Sequence, residues 1–172
     1  IVHNGVIENY AALKESLVKE GHRFKSGTDS EVIAHLIEKH AKAGNIWKAF
    51  LETLKELEGT YALAALSEDD PGHIMVAKQG TPLVIGLGKC ENILASDISS
   101  IMPHTNKVIY LNDGETALLS KDKVKVFDIF GKQLKPAVKT LTLKTGVFSK
   151  GKYPSFMLKE IHEQPDIVKN VL

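Results

Sequence analysis

Apolar residues recur at helical spacing in the first third of the chain and at strand spacing after it. Ile1-Val2-His3 reads as the end of a strand that turns sharply at Asn4-Gly5. Tyr10, Leu13, Leu17 and Val18 then share one helix face, opposite Lys14, Glu15, Lys19 and Glu20, and Gly21 is the natural stop. His22 to Lys25 reads as a short strand. Thr28-Asp29-Ser30-Glu31 fits a capping box, with Thr28 as cap and Glu31 reaching back. The helix that follows aligns Val32, Ile33, Leu36 and Ile37 and ends near Gly44. A third helix, from about Ile46 to Leu57, turns Trp47, Phe50, Leu51 and Leu54 inward before Gly59 stops it. From Thr60 the period shortens. Tyr61 to Leu66 is almost wholly apolar, the pattern of a strand covered on both faces. His73 to Lys78, Leu83 to Leu87, Asn92 to Ala95, Lys107 to Leu111, Glu115 to Leu119 and Lys123 to Phe127 follow as strands. Turn residues separate them, as in Asp69-Asp70-Pro71-Gly72 and Asp113-Gly114. Ser96-Asp97 opens a short helix that Pro103 closes. Residues 140 to 152 are weakly patterned, a loop, and Pro154 to His162 and Pro165 to Leu172 read as two helices. Helices followed by hairpins predict an α+β fold, helices packed on antiparallel sheet.

Composition narrows the class. A chain of 172 residues is long enough for one domain with a sizeable core. Hydrophobic content of 43%, charged content of 25% and a net charge of +1 are those of a globular domain. They make no case for nucleic acid or a membrane as partner. A single cysteine, Cys90, excludes an internal disulfide framework and fits a cytoplasmic location. The chain begins within strand-like sequence and ends within helix-like sequence, so it reads as a piece of a larger protein.

The chemistry concentrates near the start. Gly5 lets a ligand approach its N–H closely, and the Asn4 carboxamide offers a second donor beside it. Two adjacent donors are what an oxyanion hole needs when a tetrahedral intermediate forms. Asn-Gly is equally the commonest tight-hairpin signal, and spacing alone leaves both readings open. Asp29, at a helix start, either stabilises that helix or binds a cationic group. Gly86-Leu87-Gly88-Lys89-Cys90-Glu91 has only two glycines of a dinucleotide fingerprint, with Glu91 in place of the last. Seven histidines show no paired metal spacing, so no metal and no cofactor is expected; His35 reads as a helix-face residue. Nine lysines against two aspartates between Lys121 and Lys152 include Lys123-Val124-Lys125-Val126, the solvated face of a strand.

His3-Asn4-Gly5-Val6-Ile7-Glu8-Asn9, with Ser26-Gly27-Thr28-Asp29-Ser30-Glu31-Val32-Ile33-Ala34-His35, resembles the glutaminase domain of the glutamine–fructose-6-phosphate aminotransferase (isomerising) family, also called glucosamine-6-phosphate synthases. Gly80-Thr81-Pro82-Leu83-Val84-Ile85-Gly86-Leu87-Gly88 through Ala95-Ser96-Asp97 agrees. So does Met157-Leu158-Lys159-Glu160-Ile161-His162-Glu163-Gln164-Pro165. The first two segments are common to class II glutamine amidotransferases, and the last two are more particular to this family.

The resemblance implies an N-terminal-nucleophile hydrolase fold, a four-layer sandwich of two antiparallel sheets between helical layers, here without its first strands. It implies release of ammonia from glutamine for conversion of fructose 6-phosphate to glucosamine 6-phosphate. It assigns the oxyanion to Asn4 and Gly5 and the glutamine ammonium to Asp29, with Gly27 and Thr28 shaping that loop. The family's nucleophile, an N-terminal cysteine, has no counterpart here, and Cys90, being internal, does not replace it. Residues 1–172 would then be the larger, C-terminal part of one glutaminase domain, inactive alone. Helices 154–172 would lead to a sugar-phosphate isomerase domain, in a protein that forms homodimers. Amidophosphoribosyltransferase or asparagine synthetase glutaminases are the alternatives within the class, and a catalytically silent assembly module of the same fold the one outside it.

Overall fold

In a computed structural model, residues 1–41, 44–142 and 150–171 are described. Ile1–Thr140 and Leu141–Leu172 form two compact units. In the first, strand β1 (Val2–Ile7) leads to helices α1 (Tyr10–Lys19), α2 (Ser30–Ala41) and α3 (Ile46–Glu56). Nine strands follow: β2 (Gly59–Ala65), β3 (Ile74–Gln79), β4 (Val84–Leu87), β5 (Asn92–Ala95), β6 (Lys107–Tyr110), β7 (Glu115–Leu119), β8 (Val124–Asp128), β9 (Gln133–Leu134) and β10 (Val138–Thr140). They form two antiparallel sheets, one of six strands ordered β1-β2-β3-β7-β8-β9 and one of four ordered β10-β6-β4-β5.

Side chains alternate across the larger sheet and divide the core in two. Tyr61, Leu63, Met75 and Ala77 join Leu17, Val32, Ile33, Leu36, Phe50 and Leu54 from the helices. Ala62, Val76, Ala117 and Val126 meet Leu83, Ile85 and Ile109 on the other side. The unit is therefore helices on one sheet face and a second sheet on the other, the α+β arrangement that the periodicity implies. β2 is covered on both faces, which is why Tyr61 to Leu66 reads as an almost unbroken apolar run. β9 and β10, two and three residues long, are too short to show alternation.

Three local expectations fail. Asn4-Gly5 is no turn: β1 runs straight through it, Asn4 opposite Ala62 and Gly5 opposite Tyr61. The chain reverses instead at Glu8-Asn9, where the Asn9 amide donates to Glu56 O (2.8 Å) and accepts from Glu58 N (3.1 Å). His22 to Lys25 forms no strand, because the Lys25 N–H is spent on the Glu31 carboxylate. In the second unit, residues 156–171 make one helix, α4 (Phe156–Val171), with Pro165 inside it rather than between two. Proline removes one helical hydrogen bond there, and the surrounding residues are exposed, so water can satisfy the freed carbonyl. Of the 140 to 152 loop, residues 143–149 lie outside the described residues.

Candidate functional site

β1 is an edge strand of the six-stranded sheet. His3 and Ile7 turn toward the helices, both buried, while Val2, Asn4 and Val6 alternate to the other face and are exposed. Gly5 holds a φ of 131°, and a Cβ added to it would lie 2.0 Å from Thr60 O. Glycine is required here by the close approach of two strands rather than by a turn. The Ile7 N–H points away from β2, since it donates to Asp29 Oδ2 at 2.9 Å. Backbone alternation through the unbroken register turns the Gly5 N–H to the same outer edge. Beside it the Asn4 carboxamide is exposed and has no partner among the described residues.

Asp29 stands immediately before α2 and reaches back across 22 residues to this edge. Its Oδ1 is 3.4 Å from the Ser30 hydroxyl, which donates to it, and 4.0 Å from His3 Nδ1. That oxygen keeps a lone pair for a further donor, and the side chain is about a quarter exposed, 24%. The structure thus brings Asp29 to the outer edge that Gly5 shares. Gly27 is exposed, with nothing within 4 Å of a Cβ built on it, and Thr28 Oγ1 lies 2.9 Å from Ser26 Oγ.

The capping box takes another form. The helix begins at Ser30, and the Glu31 carboxylate accepts from Lys25 N (2.7 Å), Ser26 N (2.7 Å) and Ser26 Oγ (2.6 Å). Three converging donors outcompete the single N–H of a cap residue. The Ser26 hydroxyl, followed by the Lys25 and Ser26 N–H groups, lowers the Glu31 pKa to about 2. Glu31 therefore ties down the loop that carries Gly27, Thr28 and Asp29. It escaped the sequence reading because the capping pattern already explained it.

His3 was also missed. Its Nδ1 lies 3.0 Å from Ser30 Oγ, joining β1 to α2, and its Nε2 is buried without a partner. Its partner Ser30 lies 27 residues away on another element, so its neighbours Val2 and Asn4 gave no sign of the contact. Cys90 occupies the hairpin between β4 and β5, exposed and with a φ of 60°, so it is a turn residue far in sequence from this edge.

The edge strand of this two-sheet α+β unit thus presents a glycine N–H beside a free carboxamide and a helix-start carboxylate, two donors and one anionic acceptor. The glutamine amidotransferase domain family model matches residues 1–103, and the chain belongs to that family. Among relatives, the glutamine–fructose-6-phosphate aminotransferase [isomerizing] of Methanosarcina mazei is 47% identical over the whole chain and 29% of its own length. That of Aquifex aeolicus is 46% identical, with the same coverage. The chain spans under a third of the length of these relatives. Among solved structures, a glutamine phosphoribosylpyrophosphate amidotransferase from B. subtilis superposes with a TM-score of 0.65 at 25% identity, over 74% of this chain and 28% of that one. An allosteric regulatory enzyme of purine biosynthesis superposes with a TM-score of 0.63 at 26% identity, over 74% and 27%.

Proposed function

We propose that the β1 edge and Asp29 form the oxyanion and ammonium contacts of a glutaminase site. The protein they serve passes ammonia from glutamine to fructose 6-phosphate through an isomerase domain. The observation that carries this reading is the hydrogen bond from Ile7 N–H to Asp29, which sets a carboxylate two residues along the edge from Gly5. Glutamine placed along that edge would give its α-ammonium to Asp29 Oδ1. Its side-chain carbonyl would then lie by the Asn4 carboxamide and the Gly5 N–H. Attack on the amide carbon moves negative charge onto the carbonyl oxygen, and the two donors stabilise that charge more than the neutral carbonyl. Asn4, Gly5 and Asp29 supply neither the attacking group nor the base.

Ammonia release from glutamine by the full-length protein tests this. Asn4→Ala removes one of two oxyanion donors and should lower kcat by about 100-fold or more, leaving KM nearly unchanged. Asp29→Asn keeps an acceptor for Ile7 N–H but loses the charge that an ammonium needs. It should raise KM for glutamine by roughly 10–100-fold, the worth of a charged hydrogen bond. Full kcat in the Asn4 variant rules the reading out.

A further inference from the structure

Away from the β1 edge, three metal-ligating atoms converge on α2. His35 and Glu38 stand three residues apart on one helix face. His22 joins them from the segment after α1, where Gly21 (φ 98°) ends the helix and His22 N–H donates to Leu17 O at 2.9 Å. His22 Nδ1 and His35 Nδ1 are 3.1 Å apart. Glu38 Oε2 lies 3.1 Å from the first and 3.5 Å from the second. A zinc ion sits about 2.0–2.1 Å from imidazole nitrogen and carboxylate oxygen in a tetrahedron, whose edges are then about 3.3 Å. A triangle with the observed sides admits a point at that radius from all three atoms on either side of its plane. The spacing of the three ligand atoms therefore matches that of zinc ligands.

The surroundings agree. His35 Nε2 is 3.5 Å from Glu31 Oε1, which favours a proton on that outer nitrogen and leaves the Nδ1 lone pair facing His22. The two imidazoles are 10% and 17% exposed and Glu38 is 67% exposed, so the site is walled on the histidine side and open to solvent on the carboxylate side. Spacing in the sequence conceals it, since His22 and His35 are 13 residues apart on different elements.

We propose that His22, His35 and Glu38 bind a borderline divalent transition ion of the zinc class, with water at the fourth position. The ion fastens the segment after α1 to α2. Through His35 and Glu31 it braces the loop that begins at Lys25 and Ser26. No ligand of this ion is a residue of the glutamine reading, so zinc binding stands or falls separately from it.

The test is calorimetric titration of the purified protein, stripped of metal, with Zn2+ at pH about 7.5, where histidine is neutral. One equivalent should bind with a micromolar or smaller Kd, and Mg2+, which prefers oxygen ligands, should give no heat. His22→Gln and Glu38→Gln should each weaken zinc binding by at least about 10-fold. His73→Gln, which alters a histidine 2.7 Å from Asp70 elsewhere, should leave it unchanged. Histidine 15N spectra should show zinc shifting the Nδ1 resonances of His22 and His35 while Nε2 stays protonated. Absence of stoichiometric binding, or zinc affinity that survives both ligand substitutions, overturns the proposal and leaves an ion-free hydrogen bond between the two histidines.

Discussion

Alanine at Gly5 would place its Cβ 2.0 Å from Thr60 O, 2.8 Å from Thr60 C and 2.9 Å from Tyr61 Cα. All three are backbone atoms, so no side-chain rotation relieves them. The two strands would have to separate until the nearest contact reached at least 3.4 Å, or β1 would have to leave its register. A side chain at φ 131° is strained in any case, at about 1–3 kcal/mol. Loosening the flanking Asn4–Ala62 and Val6–Thr60 pairs adds about 1 kcal/mol for each hydrogen bond weakened. We expect Gly5→Ala to cost about 3–5 kcal/mol and, for a chain of this size, to lower Tm by roughly 6–20 °C. Urea unfolding followed by the fluorescence of Trp47 is a suitable assay. That indole is the only one in the chain and stacks on Phe50 at 5.8 Å between ring centres, so it reports on the core under β1. Gly27→Ala is the internal control. Nothing lies within 4 Å of its added Cβ, so its stability should stay within about 0.5 kcal/mol of the parent. A Gly5→Ala protein destabilised by less than about 1 kcal/mol would refute the claim that close strand approach fixes this glycine.

Two further expectations concern the scaffold. Phe50 is fully buried between helices and sheet, so Phe50→Ala should cost about 3–5 kcal/mol in the same unfolding assay. The Lys78 ammonium, and after it the Gly80 N–H, hold the Asp113 carboxyl below its ordinary range at the turn before β7. A lowered folded value stabilises fully above the unfolded one and is lost as pH falls through the folded one. Asp113→Asn should therefore lower stability at pH 7, where that contribution is full, and flatten the acid side of the stability–pH curve below about pH 4, where variant and parent converge. An unaltered acid limb in that variant would contradict it.

Element type was legible wherever burial imprinted a period. α2 and α3 carry their buried residues at helical spacing, and Tyr61 to Leu66 is an almost unbroken apolar run because β2 lies between two packed layers. The motifs around Asn4 and Asp29 were legible too, since residue types along a short stretch suffice to match a family. Their geometry was not. Whether Asn4-Gly5 turns or runs straight depends on β2, more than fifty residues later, whose Thr60 carbonyl would lie 2.0 Å from any Cβ at position 5, so that only glycine fits. The same holds for Glu31, whose partners stand in a loop that no period describes, and for His22 and His35, which meet only because α1 ends where it does. Periodicity records which side of an element is buried, averaged over several residues. Contacts between single polar atoms on separate elements leave no such average, and only the folded chain decides them.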